Sequence, residues 1–351
     1  MTSRPQRHPR DGAISPSVDL SRVVVLSGGI GGARFLSGLK YAARHRLVPG
    51  LSPDTALTAI VNTADDLWLH GLKICPDLDT VMYTLGDGID PERGWGRRAE
   101  TWSIAEELAA YAVEGTWFGL GDRDLATHLV RTQMLDAGYG LTEVTAALCT
   151  RWAPGVRLLP MTEDRVETHI CVADPTAASG RRVVHFQEYW VRLRAEVDAL
   201  AVVSVGIESA QPGPGVLDEI EAADLIIVPP SNPVVSVGPI LGVPGLRTAL
   251  LAATAPIVGI SPIIAGDHVR GMARQLLPTI GVEVSAAGVG QHYGARGSGG
   301  LLDGWLVDSS DAEAVKVLAD VGLSAAAVPL LMSDHDATAA MARAAIGLVH
   351  R

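Results

Sequence analysis

One segment constrains this chain most: an apolar run that passes directly into a glycine-rich turn and then into helical spacing. Arg22 to Ser27 reads Arg-Val-Val-Val-Leu-Ser, too uniformly apolar for a half-exposed strand and suited to one buried on both faces. Gly28-Gly29-Ile30-Gly31-Gly32 follows at once, and Phe35, Leu36, Leu39 and Ala43 then recur at helical spacing through Arg44. Further short apolar runs, at Ala56–Val61, Ala201–Ile207, Asp224–Val228, Ile257–Ser261, Val282–Val284, Trp305–Val307 and Ala326–Met332, mostly alternate with helical spacing. That order predicts an α/β fold: a doubly wound, mostly parallel Rossmann-like sheet with helices on both faces.

The glycine turn suits an anion. Backbone N–H groups of such a turn, together with the first turn of the helix, form a cradle for phosphate. Gly28, Gly29, Gly31 and Gly32 are therefore candidate phosphate-binding residues. Gly29 and Gly31 begin a GxGxxG spacing, but Arg34 occupies the place of the third glycine, and no GxxxxGK[ST] can be drawn. An NAD-dependent oxidoreductase and a P-loop enzyme are thus disfavoured.

The run Ala56–Val61 leads into Val-Asn-Thr-Ala-Asp-Asp-Leu-Trp-Leu-His-Gly-Leu-Lys-Ile-Cys-Pro-Asp-Leu-Asp-Thr, from Val61 to Thr80. Its acids form two close pairs, Asp65 with Asp66 and Asp77 with Asp79. They lie past the carboxyl end of a strand, where open α/β sheets bind ligands. Clustered carboxylates repel one another unless a cation or hydrogen bonds hold them. Asp77 after Pro76 would equally serve as a helix cap. Apolar neighbours such as Trp68, Leu69 and Ile74 argue against a freely solvated loop. A glycine cradle facing carboxylates points to a Mg²⁺-bound diphosphate, because Mg²⁺ favours one or two carboxylates plus phosphate oxygens.

The remaining segments fill out a single domain over residues 21–351, after a disordered extension at residues 1–20. A helical cap is expected over about 86–153. It includes a loop and N-cap at Gly121-Asp122-Arg123-Asp124. A β-hairpin insertion is expected over about 156–193, where His169 and His185 read as structural. Ser231 and Asn232, at a strand's carboxyl end, are placed to bond a nucleotide, or simply to make an Asn-Pro turn. The net charge of −11 disfavours nucleic acid and anionic membrane as partners. No apolar run is long enough for a membrane span. The three cysteines, Cys75, Cys149 and Cys171, form no CxxC pair and read as reduced thiols, which suits a cytoplasmic protein. No covalent-nucleophile motif is present.

Three stretches together resemble one family. Ser27-Gly-Gly-Ile-Gly-Gly-Ala-Arg-Phe, then Asn62-Thr-Ala-Asp-Asp through Pro76-Asp-Leu-Asp-Thr, then Gly121-Asp-Arg-Asp with Pro230-Ser-Asn-Pro look like the 2-phospho-lactate transferases of deazaflavin coenzyme (F420) biosynthesis. The actinobacterial branch, phosphoenolpyruvate transferase, looks most similar, through Arg93-Gly-Trp-Gly, Glu100-Thr-Trp and His185-Phe-Gln-Glu. The resemblance implies transfer of a phosphoenolpyruvyl or phospholactyl group from a guanosine diphosphate conjugate to the deazaflavin Fo, releasing GMP. Both donors stay open, since they differ by one double bond. It implies Mg²⁺ near Asp65 and Asp66, with Asp79 at the Fo site. Asp66 and Asp79 are each candidates for base or metal ligand, and Arg123 joins them as a candidate catalytic residue. Thr63, Asp77, Asp124, Ser231 and Asn232 are expected to bind substrate, with Trp68 and Trp95 lining the Fo pocket. A homodimer is expected. The rival from another class is a non-catalytic nucleotide-sugar-binding regulator of the gluconeogenesis-factor type.

Overall fold

A computed structural model describes residues 19–268 and 272–350. In chain order the strands are β1 (Arg22–Ser27), β2 (Ala56–Val61), β3 (Leu67–Leu69), β4 (Leu72–Ile74), β5 (Arg157–Pro160), β6 (Glu167–Ala173) and β7 (Arg181–His185). They continue as β8 (Ala199–Val205), β9 (Leu225–Val228), β10 (Ile257–Ile260), β11 (Ile263–Ile264), β12 (Asp267–His268), β13 (Gly304–Asp308) and β14 (Ala325–Val328). Seven of them form one parallel sheet, in the spatial order β14-β13-β10-β9-β1-β2-β5. The chain winds outward from β1 through β2 to β5. It then crosses to β9 on the other side of β1 and winds outward again. The winding direction therefore reverses between β1 and β9, and ligand crevices in open sheets form at that point.

Alternation along the strands loads both faces. Val23 and Val25 of β1 point into one core with Ala59 and Val61 of β2. Against them pack helix α1 (Gly29–Arg44), through Phe35, Leu36 and Leu39, and the C-terminal helix His335–Val349, through Met341 and Ala345. Val24 and Leu26 point the other way, into a second core with Ile170 and Val172 of β6 and with Ile240, Leu246 and Leu250. Full burial of each such side chain contributes roughly 1.5–3 kcal/mol, which is why the strands read as unbroken apolar runs.

Three local outcomes differ from the expectations. The extension at residues 1–20 lies mostly outside the described residues, but its last residue, Leu20, is fully buried and donates its amide to the Gly50 carbonyl at 2.9 Å. The insertion over 156–193 is drawn differently: β5 is the edge strand of the central sheet, while β8, expected among the parallel strands, completes an antiparallel sheet β7-β6-β8. Val282–Val284 is not a strand. Each segment is apolar enough for either role, and only the available pairing partner decides.

The helical cap consists of α2 (Pro76–Leu85), which leads into it, then α3 (Ser103–Ala110), α4 (Asp122–Asp136) and α5 (Leu141–Trp152). Reciprocal caps hold its loops. Asp122 accepts the Ser103 and Ile104 amides at 3.1 and 3.0 Å, and Glu100 accepts the Arg123 amide at 2.6 Å.

Candidate active site

The acidic stretch does not stay a loop. It folds into the antiparallel pair β3–β4, turned at His70 and Gly71, whose φ angles are both positive at 51° and 74°. Two positive φ values in a two-residue turn match strand twist, and glycine adopts one without strain. Pro76 then opens α2 at its first position, so Asp77 and Asp79 fall in the first helical turn. Asp77 does not cap that helix, whose cap position is Cys75. Its Oδ2 instead accepts Asn62 Nδ2 at 2.9 Å, and the carboxylate also takes a hydrogen bond from the Gly29 backbone. Asn62 in turn reaches the Val235 carbonyl at 3.2 Å, which ties the turns after β2 and β9 together.

The glycine turn closes on the turn after β9. A Cβ placed on Gly31 would lie 2.2 Å from the Pro230 carbonyl oxygen, and one on Gly28 would lie 2.5 Å from Ser236 Cβ. Ser231 Oγ donates to the Gly28 carbonyl at 2.8 Å. The two turns thus approach closer than any side chain would permit. Gly28 is the cap of α1 and offers no side-chain partner to the helix, so the first amides face the crevice.

These groups open onto one cavity of about 580 Å³. Gly28, Gly29 and Gly31 form its floor, with Ser231 and Asn232 beside them and Asp65 and Asp77 on the wall. Asn232 also makes the local turn, with Oδ1 accepting the Val234 amide at 2.8 Å. On the cap side Arg93, Trp95 and Phe118 line the cavity, and Phe186, Gln187 and Trp190 come from the segment after β7. The opposite wall is apolar, with Ile264, Met272, Leu330 and Met332.

Asp65 and Asp77 are both buried, and both titrate high. Burial pushes Asp65 well above the usual carboxylate range, and the neighbouring Asp77 and Asp66 add to it. Burial takes Asp77 up to about 6, against the hydrogen bonds from Asn62 and Gly29. Asp65 Oδ1 has no hydrogen-bond partner among the described residues.

The other two aspartates lie behind the wall. Asp66 faces Lys73 Nζ at 3.1 Å. Asp79 pairs with Arg131 of α4, and His128 Nδ1 stands 3.7 Å away. Burial works against the Arg131 charge, and Asp79, with smaller contributions from Cys75 and Tyr83, holds it above the ordinary arginine value nonetheless. Asp124 accepts the Tyr83 hydroxyl at 2.6 Å and faces His128 Nε2 at 3.5 Å. The trio Asp65, Asp66 and Asp79, expected to hold a metal, is therefore not assembled: among the described residues no three His, Cys, Asp or Glu side chains converge on a common point. Two of the three carboxylates already have a protein cation.

Other expected residues fall outside the cavity wall. Arg123 is exposed at the start of α4, its backbone used in capping. Trp68 is 47 % exposed on the β3–β4 hairpin. Thr63 is buried behind Asp65, and Gly32 packs against Ser27 and Ser231. Conversely, sequence reasoning passed over Arg34, Gln187, Trp190 and Met272. Arg34 was legible only as a missing glycine. Gln187 stood within a noted motif. Met272 carried no signal, because it comes from a distant segment.

Comparison with known proteins assigns the chain. Residues 23–341 match the family model described as 2-phospho-L-lactate transferase CofD. The chain belongs to this family. It is 60 % identical over 327 residues to a protein named phosphoenolpyruvate transferase from Streptomyces griseus subsp. griseus, which covers 93 % of this chain and 98 % of that one. It is also 60 % identical to the phosphoenolpyruvate transferase of Thermobifida fusca, over 93 % and 97 % of the two chains. A crystal structure of a UPF0052-family protein from Bacillus halodurans superposes with a TM-score of 0.56 at 18 % identity, over 92 % of this chain and 99 % of that one. That likeness is one of fold. The protein is thus an α/β transferase.

Proposed function

We propose that this protein transfers a phosphoenolpyruvyl group from a guanosine diphosphate conjugate to the ribityl hydroxyl of the deazaflavin Fo, giving dehydro coenzyme F420-0 and GMP. A phospholactyl donor is the variant of the same reaction. The observation that carries this reading is the convergence, in one cavity, of a two-turn glycine cradle and two buried carboxylates, Asp65 and Asp77. The names of the relatives support the class of group transferred.

The donor's diphosphate would lie on the amides of Ile30 and Gly31, at the positive end of α1. Asp65, which lines the cavity and has a buried Oδ1 without a hydrogen-bond partner among the described residues, suits Mg²⁺, which takes few carboxylates and completes its shell with phosphate oxygens and water. When bound, the metal would neutralise diphosphate charge and stabilise the leaving phosphate. Asp77, held by Asn62 and the Gly29 amide, would accept the proton of the attacking hydroxyl. The hydroxyl oxygen bonds to the phosphorus that carries the three-carbon acid through its C2 oxygen, as the phosphoanhydride bond breaks and GMP leaves. The planar acceptor would enter from the Trp95 and Trp190 side, where aromatic surface is open to the cavity. No covalent intermediate is required, so kinetics should be sequential.

The proposal includes a cytoplasmic homodimer. The three free cysteines and the apolar outer face of the small sheet, with Val183, Val203 and Val205 more than half exposed, support it. No helix among the described residues is long and apolar enough to cross a membrane. Incubating purified protein with Fo and each donor, followed by mass spectrometry, tests the reaction. Product with neither donor would overturn it.

A further inference from the structure

The acceptor side of the cavity is rich in aromatic rings, and one uncharged amide stands among them. Trp95 and Phe118 come from the cap, Phe186 and Trp190 from the segment after β7, and Gln187 lies between the last two in the chain. Gln187 lines the cavity and is only 6 % exposed. Its side-chain amide has no hydrogen-bond partner among the described residues; the bond it makes to His185 Nδ1, at 3.1 Å, comes from its backbone N–H. A carboxamide offers two N–H donors and an accepting carbonyl, and burying them unmet is unfavourable unless a ligand meets them. The backbone that carries the amide is fixed. Phe186 belongs to the core that holds Ile170 and Val184. Glu188–Arg192 form one wide helical turn, closed by the Leu193 amide on the Glu188 carbonyl at 2.9 Å. Tyr189 is fully buried, and its hydroxyl donates to the Val197 carbonyl at 3.2 Å. An amide on such a frame binds a partner with little ordering cost.

We infer that Gln187 reads the lactam edge of the acceptor's pyrimidinedione ring, its carbonyl accepting the ring N3–H and its NH₂ donating to an adjacent ring carbonyl. This rests on the transfer reading above and deepens it. The anions of the donor need positive charge or backbone N–H groups, and a neutral amide supplies neither charge nor a cradle. A neutral group that both donates and accepts matches a neutral edge that does the same. A deazaflavin presents one such edge, N–H flanked by two carbonyls, at the end of an otherwise flat apolar system. The ring faces suit Trp95 and Trp190, and the edge requires a polar partner at the same end of the cavity, where Gln187 lies. The ribityl tail would then run back from the ring toward Asp77 and the cradle, which is the direction the transfer demands.

The test compares Fo with its N3-methyl analogue as acceptors, using full-length enzyme, donor and Mg²⁺, with each acceptor's affinity also measured by calorimetry in the absence of donor. Wild-type enzyme should favour Fo in kcat/KM by about 10²-fold, because methylation removes the donor the site is built to meet. Gln187→Met keeps the length of the side chain and removes its polar atoms. It should fall about 30-fold on Fo, while its preference for Fo over the analogue drops below about threefold. Gln187→Asn, one methylene shorter, should lose the preference as well, which separates reach from mere polarity. The loss should lie in KM and in direct Fo affinity, with kcat, GDP affinity and melting temperature little changed. A Gln187→Met enzyme that still prefers Fo by about 10²-fold, or that loses both acceptors equally, overturns the inference alone. So does a variant whose only defect is in GDP affinity, which would make Gln187 a donor residue. Wild-type enzyme that binds Fo but forms no product from either donor overturns the transfer reading, and the acceptor role with it.

Discussion

Asp65 and Asp77 differ from Asp66 and Asp79 in what they face: the first two line the cavity, the second two meet a protein cation behind it. The four are neighbours in sequence, and all four are at least 94 % buried. Asp66 has Lys73, and Asp79 has Arg131 with His128 behind it. Asp65 and Asp77 face a cavity, with hydrogen bonds from Asn62 on both and the Gly29 amide on Asp77. A buried carboxylate without a cation is costly, and such groups gather where a ligand provides the missing charge. The front pair lines the cavity, and the rear pair is a brace between the cap and the β3–β4 hairpin, through Arg131 on α4.

That contrast separates activity from stability, and the largest expected effect lies at the front. Chelation by EDTA should abolish transfer, by about 10³-fold or more, and added Mg²⁺ should restore it, with the melting temperature nearly unchanged. Full turnover in excess chelator would erase the distinction between the pairs.

At the rear, Arg131→Met should cost about 3–5 kcal/mol in denaturant unfolding, because it leaves the Asp79 charge buried alone. Adding Asp79→Leu should recover most of that loss, since removing both partners of a buried pair is often close to neutral. A single substitution costing under about 1 kcal/mol would mean the brace bears little of the fold's stability.

Asp77→Asn keeps the shape and removes the proposed base, so kcat should fall about 10²-fold while the protein melts no lower than wild type. Loss of fold without loss of rate in the folded fraction would move Asp77 to the rear group. Ser231→Ala probes the link between the two turns. It removes the hydroxyl that holds the Gly28 carbonyl and should cost about 1 kcal/mol of stability and about fivefold in GDP affinity. Unchanged GDP binding by calorimetry would show that the cradle is rigid without that link.

Much of this was legible in the chain itself. The α/β class followed from apolar runs such as Val23–Leu26 and Ala56–Val61, because a strand covered by helices on both sides has no polar face to show. The glycine turn announced a close approach, and Gly28, Gly29 and Gly31 do lie on the cavity floor beside Ser231 and Asn232. The family resemblance rested on the same motifs, and the match over residues 23–341 bears it out.

What the sequence could not divide was the acidic stretch. Asp65 and Asp66 are adjacent, and nothing in their spacing says which one meets Lys73 across the hairpin. The side of β3–β4 on which each falls decides that, and the hairpin itself depends on the His70-Gly71 turn. Asp79 was read as a site residue because Arg131 stands 52 positions away, on a helix whose approach no local pattern predicts. Arg123 carried the charge and the motif but points outward, while Arg93 and Arg34 reach the cavity from elsewhere. The choice of β5 over β8 as a central strand was equally open. Short-range pattern records which residues want burial and which turns the backbone tolerates. Which charge meets which is set by long-range packing, because an ion pair depends on a few ångströms between segments that are far apart along the chain.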